Sequence, residues 1–214
     1  MKKIAIFGAG GFGREVAMLI EQINKVDQEW EIIGFFDDGI EKNKMINNYP
    51  VLGGIAELNM VNEGLYLVLS IGNPSTKTKI LNQIINDKIK YPVIVHPNVQ
   101  IGDSDVKIGE GSIITAGCVI TTNISIGKHV ILNLSCTVGH DTIIDDYSAF
   151  MPSVNISGEV KIENSVYVGT GAKIINLVTI GARTIIGAGA VVAKNIPSDC
   201  TAVGIPAKPI KFHE

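Results

Sequence analysis

The sequence predicts two domains in tandem: an α/β Rossmann-like domain over residues 1–95, then a left-handed parallel β-helix over residues 96–214. Three observations carry this expectation. Before residue 96, short apolar runs alternate with stripes at helical spacing. From Ile108 to Val192, an apolar residue recurs at every sixth position. Between the first apolar run and the first helical stripe stands a glycine cluster, Gly8-Ala9-Gly10-Gly11-Phe12-Gly13.

In the first half, residues 3–7 form a short buried strand. Residues 12–23 follow as a helix, with Phe12, Val16, Leu19, Ile20 and Ile23 on one face. Residues 32–36 make a second strand that ends at Asp37-Asp38-Gly39, and a loop runs on through Asn47-Asn48-Tyr49-Pro50. A weaker helix is expected over residues 54–61, a strand over 66–71, a proline-opened helix over 74–85 and a last strand over 93–95. Alternating strands and helices of this kind build a small parallel sheet with helices on its faces.

The second half is a repeat. Every sixth residue from Ile108 (Ile114, Ile120, Ile126, Leu132, Val138 and onward to Val192) is Ile, Leu, Val or Phe. Four residues after each stands another compact or β-branched side chain, among them Ser112, Cys118, Cys136 and Thr142. A period of six fits neither a helix nor a hairpin array. It fits a solenoid of short parallel strands in which three hexapeptides make a triangular coil of 18 residues, with glycine or asparagine easing the corners. Five such coils, stacked at the strand spacing, give a prism about 24 Å long. The earlier Ile101-Gly102 lies one residue out of frame, which places an inserted residue before Ile108.

Composition narrows the function classes. The 214 residues are 46% hydrophobic and 18% charged with a net charge of −3, which supplies a core and argues against a nucleic-acid surface. No stretch approaches the ~18 uninterrupted apolar residues of a membrane span. The opening is too short and too soon glycine-rich for a signal peptide. Three scattered cysteines without CxxC spacing point to a reduced, cytoplasmic protein. No three-histidine pattern on converging faces suggests a metal site.

The chemistry-bearing residues follow from the repeat. First and fifth residues of each hexapeptide point inward, so His140 and Asp141, third and fourth in theirs, face outward. Gly158 lies 18 residues after His140 and so stands directly above it. A side chain there would crowd anything lying against the imidazole, whereas glycine leaves room and exposes its N–H. A base beside a backbone donor suits acyl transfer; a plain surface histidine beside a turn glycine fits the pattern as well. Gly8, Gly10 and Gly13 satisfy GxGxxG between strand and helix, a place for phosphates, with Asp37 or Asp38 available to a ribose or base. The same glycines also fit tight packing alone. An NAD enzyme is disfavoured, because the solenoid leaves no room for a hydride-transfer substrate domain. Cys118 and Cys136 stack inward as core, and His96, His129 and His213 carry no pattern. A lone acid–base histidine without an activated Ser or Cys favours direct transfer over an acyl-enzyme.

The glycine opening through Val16, Ile71-Gly72-Asn73, Gly139-His140-Asp141 in register, and the closing Val203-Gly204-Ile205-Pro206-Ala207-Lys208-Pro209 together resemble the sialic acid O-acetyltransferase/sugar N-acetyltransferase family, over nearly the whole chain. The resemblance implies an acetyl-CoA-dependent N-acetyltransferase acting on a nucleotide-linked 4-amino-4,6-dideoxy sugar, with UDP as the expected nucleotide, in surface-glycan biosynthesis. The alternatives are O-acetylation of sialic acid or another sugar hydroxyl, and a non-catalytic nucleotide-sugar-binding or scaffold protein. By the same resemblance His140 is the general base and Asp141 its tuning acid. Gly158 meets the acetyl carbonyl, and Gly169 and Gly187 lie along acetyl-CoA. Asn133 lies near the acceptor sugar, and Gly10, Gly11, Phe12, Asp37, Asp38, Gly72 and Asn73 hold the nucleotide sugar. A homotrimer with sites between subunits is expected, with no metal. One position departs: where many relatives carry a second histidine, nine residues after the first, this chain has Ala149.

Overall fold

The computed structural model describes residues 1–213, and the chain divides into two compact units, Met1–Pro97 and Asn98–Glu214. Each is described by itself.

The first unit contains β1 (Lys2–Phe7), α1 (Gly11–Val26), β2 (Trp30–Phe36), β3 (Met45–Ile46), β4 (Tyr49–Gly53), α2 (Ile55–Asn59), β5 (Leu65–Leu69), α3 (Pro74–Gln83) and β6 (Ile89–Lys90), with a further short strand at Ile94–Val95. Its sheet has the order β3-β4-β2-β1-β5-β6, and only the β3–β4 pair is antiparallel. The central strand β1 is buried from Ile4 onward because both of its faces are covered. Helix α1 sinks Val16, Ala17, Leu19 and Ile20, the stripe visible in the sequence. The expected loop before Pro50 is instead a hairpin, in which Asn47 takes the left-handed turn conformation (φ 51°) between β3 and β4. Two-residue strands such as β3 and β6 show no periodicity, so pattern reading passes over them.

The second unit is the left-handed parallel β-helix. Its strands stack at a constant offset of 18 residues: Ile113 on Ile131, Ile131 on Ala149, Ala149 on Tyr167. The two ends differ: the first coil pairs Ile101 with Ile120 at an offset of 19, which is the inserted residue expected before Ile108, and the last pairs Ile186 with Ala202 at an offset of 16. The inward column Ile114, Leu132, Phe150, Val168 and Ile186 is fully buried. Inward hydroxyls are satisfied by the coil above, as when Ser148 Oγ donates to the Glu163 carbonyl (3.2 Å) and accepts from the Val166 N–H (3.1 Å).

The corners turn differently from expectation. Relief comes at the fourth residue of each hexapeptide, which is left-handed whatever its type: His129 (φ 54°), Asp141 (57°), Leu177 (62°), Arg183 (56°). The cost, roughly 1–2 kcal/mol for a non-glycine residue, is offset because each such N–H donates to a corner carbonyl of the coil below, as Glu159 does to His140 (2.8 Å). The second-position glycines serve close approach instead. A Cβ on Gly139 would stand 2.6 Å from the Gly158 nitrogen, and one on Gly169 2.5 Å from the Ala188 nitrogen.

Past Val192 the repeat ends in an antiparallel hairpin of Cys200–Val203 with Lys208–Phe212. His213, read from sequence as tail, is drawn into this end, with Nε2 2.9 Å from Thr201 Oγ1. Phe150 is the largest aromatic in the inward columns. Phe150→Ala is expected to destabilise the solenoid by about 3–5 kcal/mol, measured as a lower midpoint in urea.

Candidate active site

The corner that follows the strands Val119–Ile120, Thr137–Val138, Asn155–Ile156 and Lys173–Ile174 carries the chemistry. Here the left-handed turn at Asp141 swings its carboxylate back beside the preceding residue. His140 Nδ1 lies 2.8 Å from Asp141 Oδ2. A carboxylate only accepts, so Nδ1 carries the proton and Nε2 keeps its lone pair. The other carboxylate oxygen, Oδ1, accepts from Asn123 Nδ2 at 3.0 Å, one coil below. These two donors, His140 first and Asn123 second, hold the Asp141 carboxyl below the usual carboxylate range, so it stays an anion well into acid. Both dyad side chains are about half exposed (57% and 49%). Solvent screening leaves such a pair little to add to stability, and its effect is to fix the ring.

Above the dyad, Gly158 is where the stacking arithmetic puts it. A Cβ there would stand 2.5 Å from His140 Cε1 and closer still to Nε2. The imidazole therefore lies against the bare backbone of the next coil. The Gly158 N–H donates to no acceptor among the described residues, while its carbonyl receives the Leu177 N–H (3.3 Å).

His140, Asp141 and Gly158 are thus brought together by one corner. Asn133, Gly169 and Gly187 are not: they follow the strands Ile131–Leu132, Tyr167–Val168 and Ile185–Ile186, on the neighbouring corner. Asn133 is buried and its Oδ1 accepts the Leu134 N–H (2.7 Å). Gly169 and Gly187 have packing reasons of their own, since a Cβ on Gly187 would stand 2.7 Å from Val203 Cγ1. Ala149 is fully buried in the Ala149–Phe150 strand. Asn123 escaped the sequence reading, although the 18-residue rule applied downward from Asp141 points directly at it.

In the first unit, the residues expected to hold a nucleotide follow the carboxyl ends of three adjacent strands. Gly10, Gly11 and Phe12 come after β1, Asp37 and Asp38 after β2, and Gly72 and Asn73 after β5. The chain runs outward from β1 to β2 and then returns to β5 on the other side of β1, so this is the switch point where open α/β sheets bind ligands. The three glycines divide their tasks. Gly8 takes φ 97° in the turn, Gly13 lets α1 approach the Gly8 carbonyl carbon to where a Cβ would stand 2.9 Å away, and Gly10 and Gly11 face open space. Gly10 caps α1, and first-turn amides of a helix are the kind of donors that anions favour.

Three expected ligands are engaged within the chain. Asp37 accepts the Ala9 N–H through Oδ2 (2.8 Å) and the Gly39 N–H through Oδ1 (2.9 Å), tying the two loops together. Asp38 Oδ1 accepts the Ile55 N–H (2.8 Å) at the start of α2. Asn73 caps α3 by accepting the Thr76 N–H (2.9 Å). A cavity of about 690 Å³ lies elsewhere in this unit, lined by Lys3, Ile33, Lys42, Leu52 and Glu57 among others. The glycine loop does not line it, and fixed donors and room near the strand ends weigh more here than volume.

Among the described residues no cluster of His, Cys, Asp or Glu could hold a metal ion, and no helix is long and apolar enough to cross a membrane.

Comparison with known proteins agrees with this layout. A family profile described as the PglD N-terminal domain matches residues 3–84. A GDP-perosamine N-acetyltransferase of Escherichia coli O157:H7 is 34% identical across 99% of this chain and 97% of its own. The acetyltransferase domain of PglB from Neisseria gonorrhoeae FA1090, solved in complex with acetyl coenzyme A, superposes with a TM-score of 0.89 at 31% identity, over 98% of this chain and 99% of that one. PerB from Caulobacter crescentus, solved in complex with CoA and GDP-perosamine, gives 0.86 at 28% identity, over 99% and 98%. With a two-unit layout shared from end to end, the chain belongs to the hexapeptide-repeat sugar N-acetyltransferase family, a family of acetyl-CoA-dependent acetyltransferases.

Proposed function

We propose that this protein transfers acetyl from acetyl-CoA to the 4-amino group of a nucleotide-linked 4-amino-4,6-dideoxy sugar for surface-glycan biosynthesis. The observation that carries the reading is the dyad: an imidazole fixed at Nδ1 by Asp141, with Nε2 bare and lying over a glycine. The sugar amine attacks the thioester carbonyl, and His140 Nε2 takes its proton. The Gly158 N–H donates to the oxyanion. As the intermediate collapses, the C–S bond breaks and the departing thiolate recovers the proton from His140. Asp141, ionised throughout, stabilises the imidazolium between these steps.

The glycine loop after β1, with Gly72 and Asn73 beside it, holds the nucleotide diphosphate. Because Asp37 and Asp38 are already bonded to backbone, their part in this pocket is to shape the loops. UDP is the nucleotide expected from the family resemblance; the GDP-perosamine relatives put GDP beside it. We also propose a homotrimer. Asn133, Gly169 and Gly187 lie one face away from His140 within a chain, which favours a site completed by the neighbouring copy's corner. The cytoplasm, where three buried free cysteines stay reduced, is the proposed compartment.

The test is thiol release from acetyl-CoA with UDP-, GDP- and dTDP-linked 4-amino sugars, free sialic acid, and no acceptor. Release with one amino sugar is expected and names the nucleotide at once. Release only with sialic acid would move the protein to O-acetylation, and silence across the panel would sink the catalytic reading.

A further inference from the structure

We propose that Asn123 is a positioning residue for the transfer, the outer member of a three-residue relay, Asn123–Asp141–His140, that spans two coils of the solenoid. The proposal rests on the reading of His140 as the base.

The geometry is continuous. Asn123 Nδ2 stands 3.0 Å from Asp141 Oδ1, and Asp141 Oδ2 stands 2.8 Å from His140 Nδ1. Because a carboxylate cannot donate, the amide orientation of Asn123 is fixed: its NH₂ faces Asp141 and its oxygen faces away. That oxygen lies 3.5 Å from Thr122 Oγ1, whose own hydroxyl reaches the Ser104 carbonyl (3.2 Å). The backbone anchors the same residue on the coil beneath, its N–H donating to the Ser104 carbonyl (2.9 Å).

A dyad of sequence neighbours needs such a holder. Asp141 is half exposed and left-handed, and a free carboxylate there can rotate about χ1 and χ2 toward water. A donor on the adjacent coil fixes one oxygen, which leaves the other aimed at Nδ1. The charged groups on the columns of this corner are few. Besides Asp141 there are Glu159 on the coil above, Lys194 on the last coil, and Asp103 and Asp105 on the first coil, Asp105 being paired with Lys107 (2.8 Å). None of these is recorded in contact with the Asp141 carboxylate, so Asn123 and His140 are its two recorded side-chain partners.

The test uses Asn123→Gly, chosen because glycine keeps the left-handed backbone (φ 56°) that alanine would strain. Turnover is expected to fall about tenfold with the KM for acetyl-CoA unchanged. In an Asp141→Asn background the same substitution should add nothing, because the relay is already cut. Independently of turnover, the Asp141 carboxyl followed by 13C NMR should titrate at higher pH in Asn123→Gly, having lost one of the donors that lower it. Equal losses in both backgrounds, or an unmoved carboxyl titration, would overturn the relay. A wild-type protein inert toward every acceptor would instead refute the functional reading, and the carboxyl titration would still decide whether Asn123 holds Asp141.

Discussion

Replacing His140 with alanine lowers the rate of acetyl transfer by about 10²–10⁴-fold, while acetyl-CoA still binds and the thermal midpoint hardly moves. The imidazole is about half exposed and contributes no inward packing, so its removal leaves the columns of the prism intact. What is lost is the imidazole nitrogen that lies against Gly158. Isothermal titration with acetyl-CoA and single-turnover thiol release, run on both proteins, separate binding from chemistry. If the variant keeps wild-type turnover, another base is at work and the dyad is ornament to the fold.

Gly158→Ala is the subtler and more informative change. The new methyl would stand 2.5 Å from Cε1 of His140 and nearer to Nε2, so one of the two must move. The backbone of Gly158 is outside the left-handed region, and an alanine costs nothing there. The imidazole is the free end of a side chain and rotates away cheaply. Stability should therefore change by less than about 0.5 kcal/mol, as for a surface substitution. Catalysis should fall by about 10²-fold, the scale expected when a reacting group is displaced by an ångström. A variant that folds and binds like wild type yet loses turnover would show that Gly158 is kept bare for the ring. Unchanged turnover would mean that His140 works in another rotamer.

Most of the solenoid was legible because its rule is arithmetic. The inward columns, the single inserted residue before Ile108 and the placement of Gly158 over His140 all follow from counting by 6 and 18. What counting could not show is how a corner is made. The sequence suggested glycine and asparagine as the corner formers, but His129, Asp141 and Arg183 turn equally well, because the stacked N–H bonds enforce the conformation. The α/β unit was legible where strands and helices are long enough to show a period, and opaque at β3 and β6. At the switch point, the glycines matched expectation in placement. Asp37 and Asp38 stand at the expected strand end, and both already accept backbone N–H groups, from Ala9 and Gly39 and from Ile55. Bonds between segments 17 and 28 residues apart leave no mark in spacing.

The constant offset of 18 gives the gene a frame coarser than the codon. Adding or losing one residue between Asp141 and Ser157 would slide every later column past the earlier ones and carry Gly158 off the imidazole, even though every codon still reads correctly. Adding six would keep the inward pattern but turn everything downstream by one face of the triangle, setting a different corner above His140. Adding a full 18 beyond Leu177 would preserve the dyad, its holder and its glycine and simply lengthen the prism by about 4.8 Å. Length variation in proteins built this way is therefore expected in whole turns past the site, with partial steps confined to the two ends of the prism, where offsets of 19 and 16 are already absorbed.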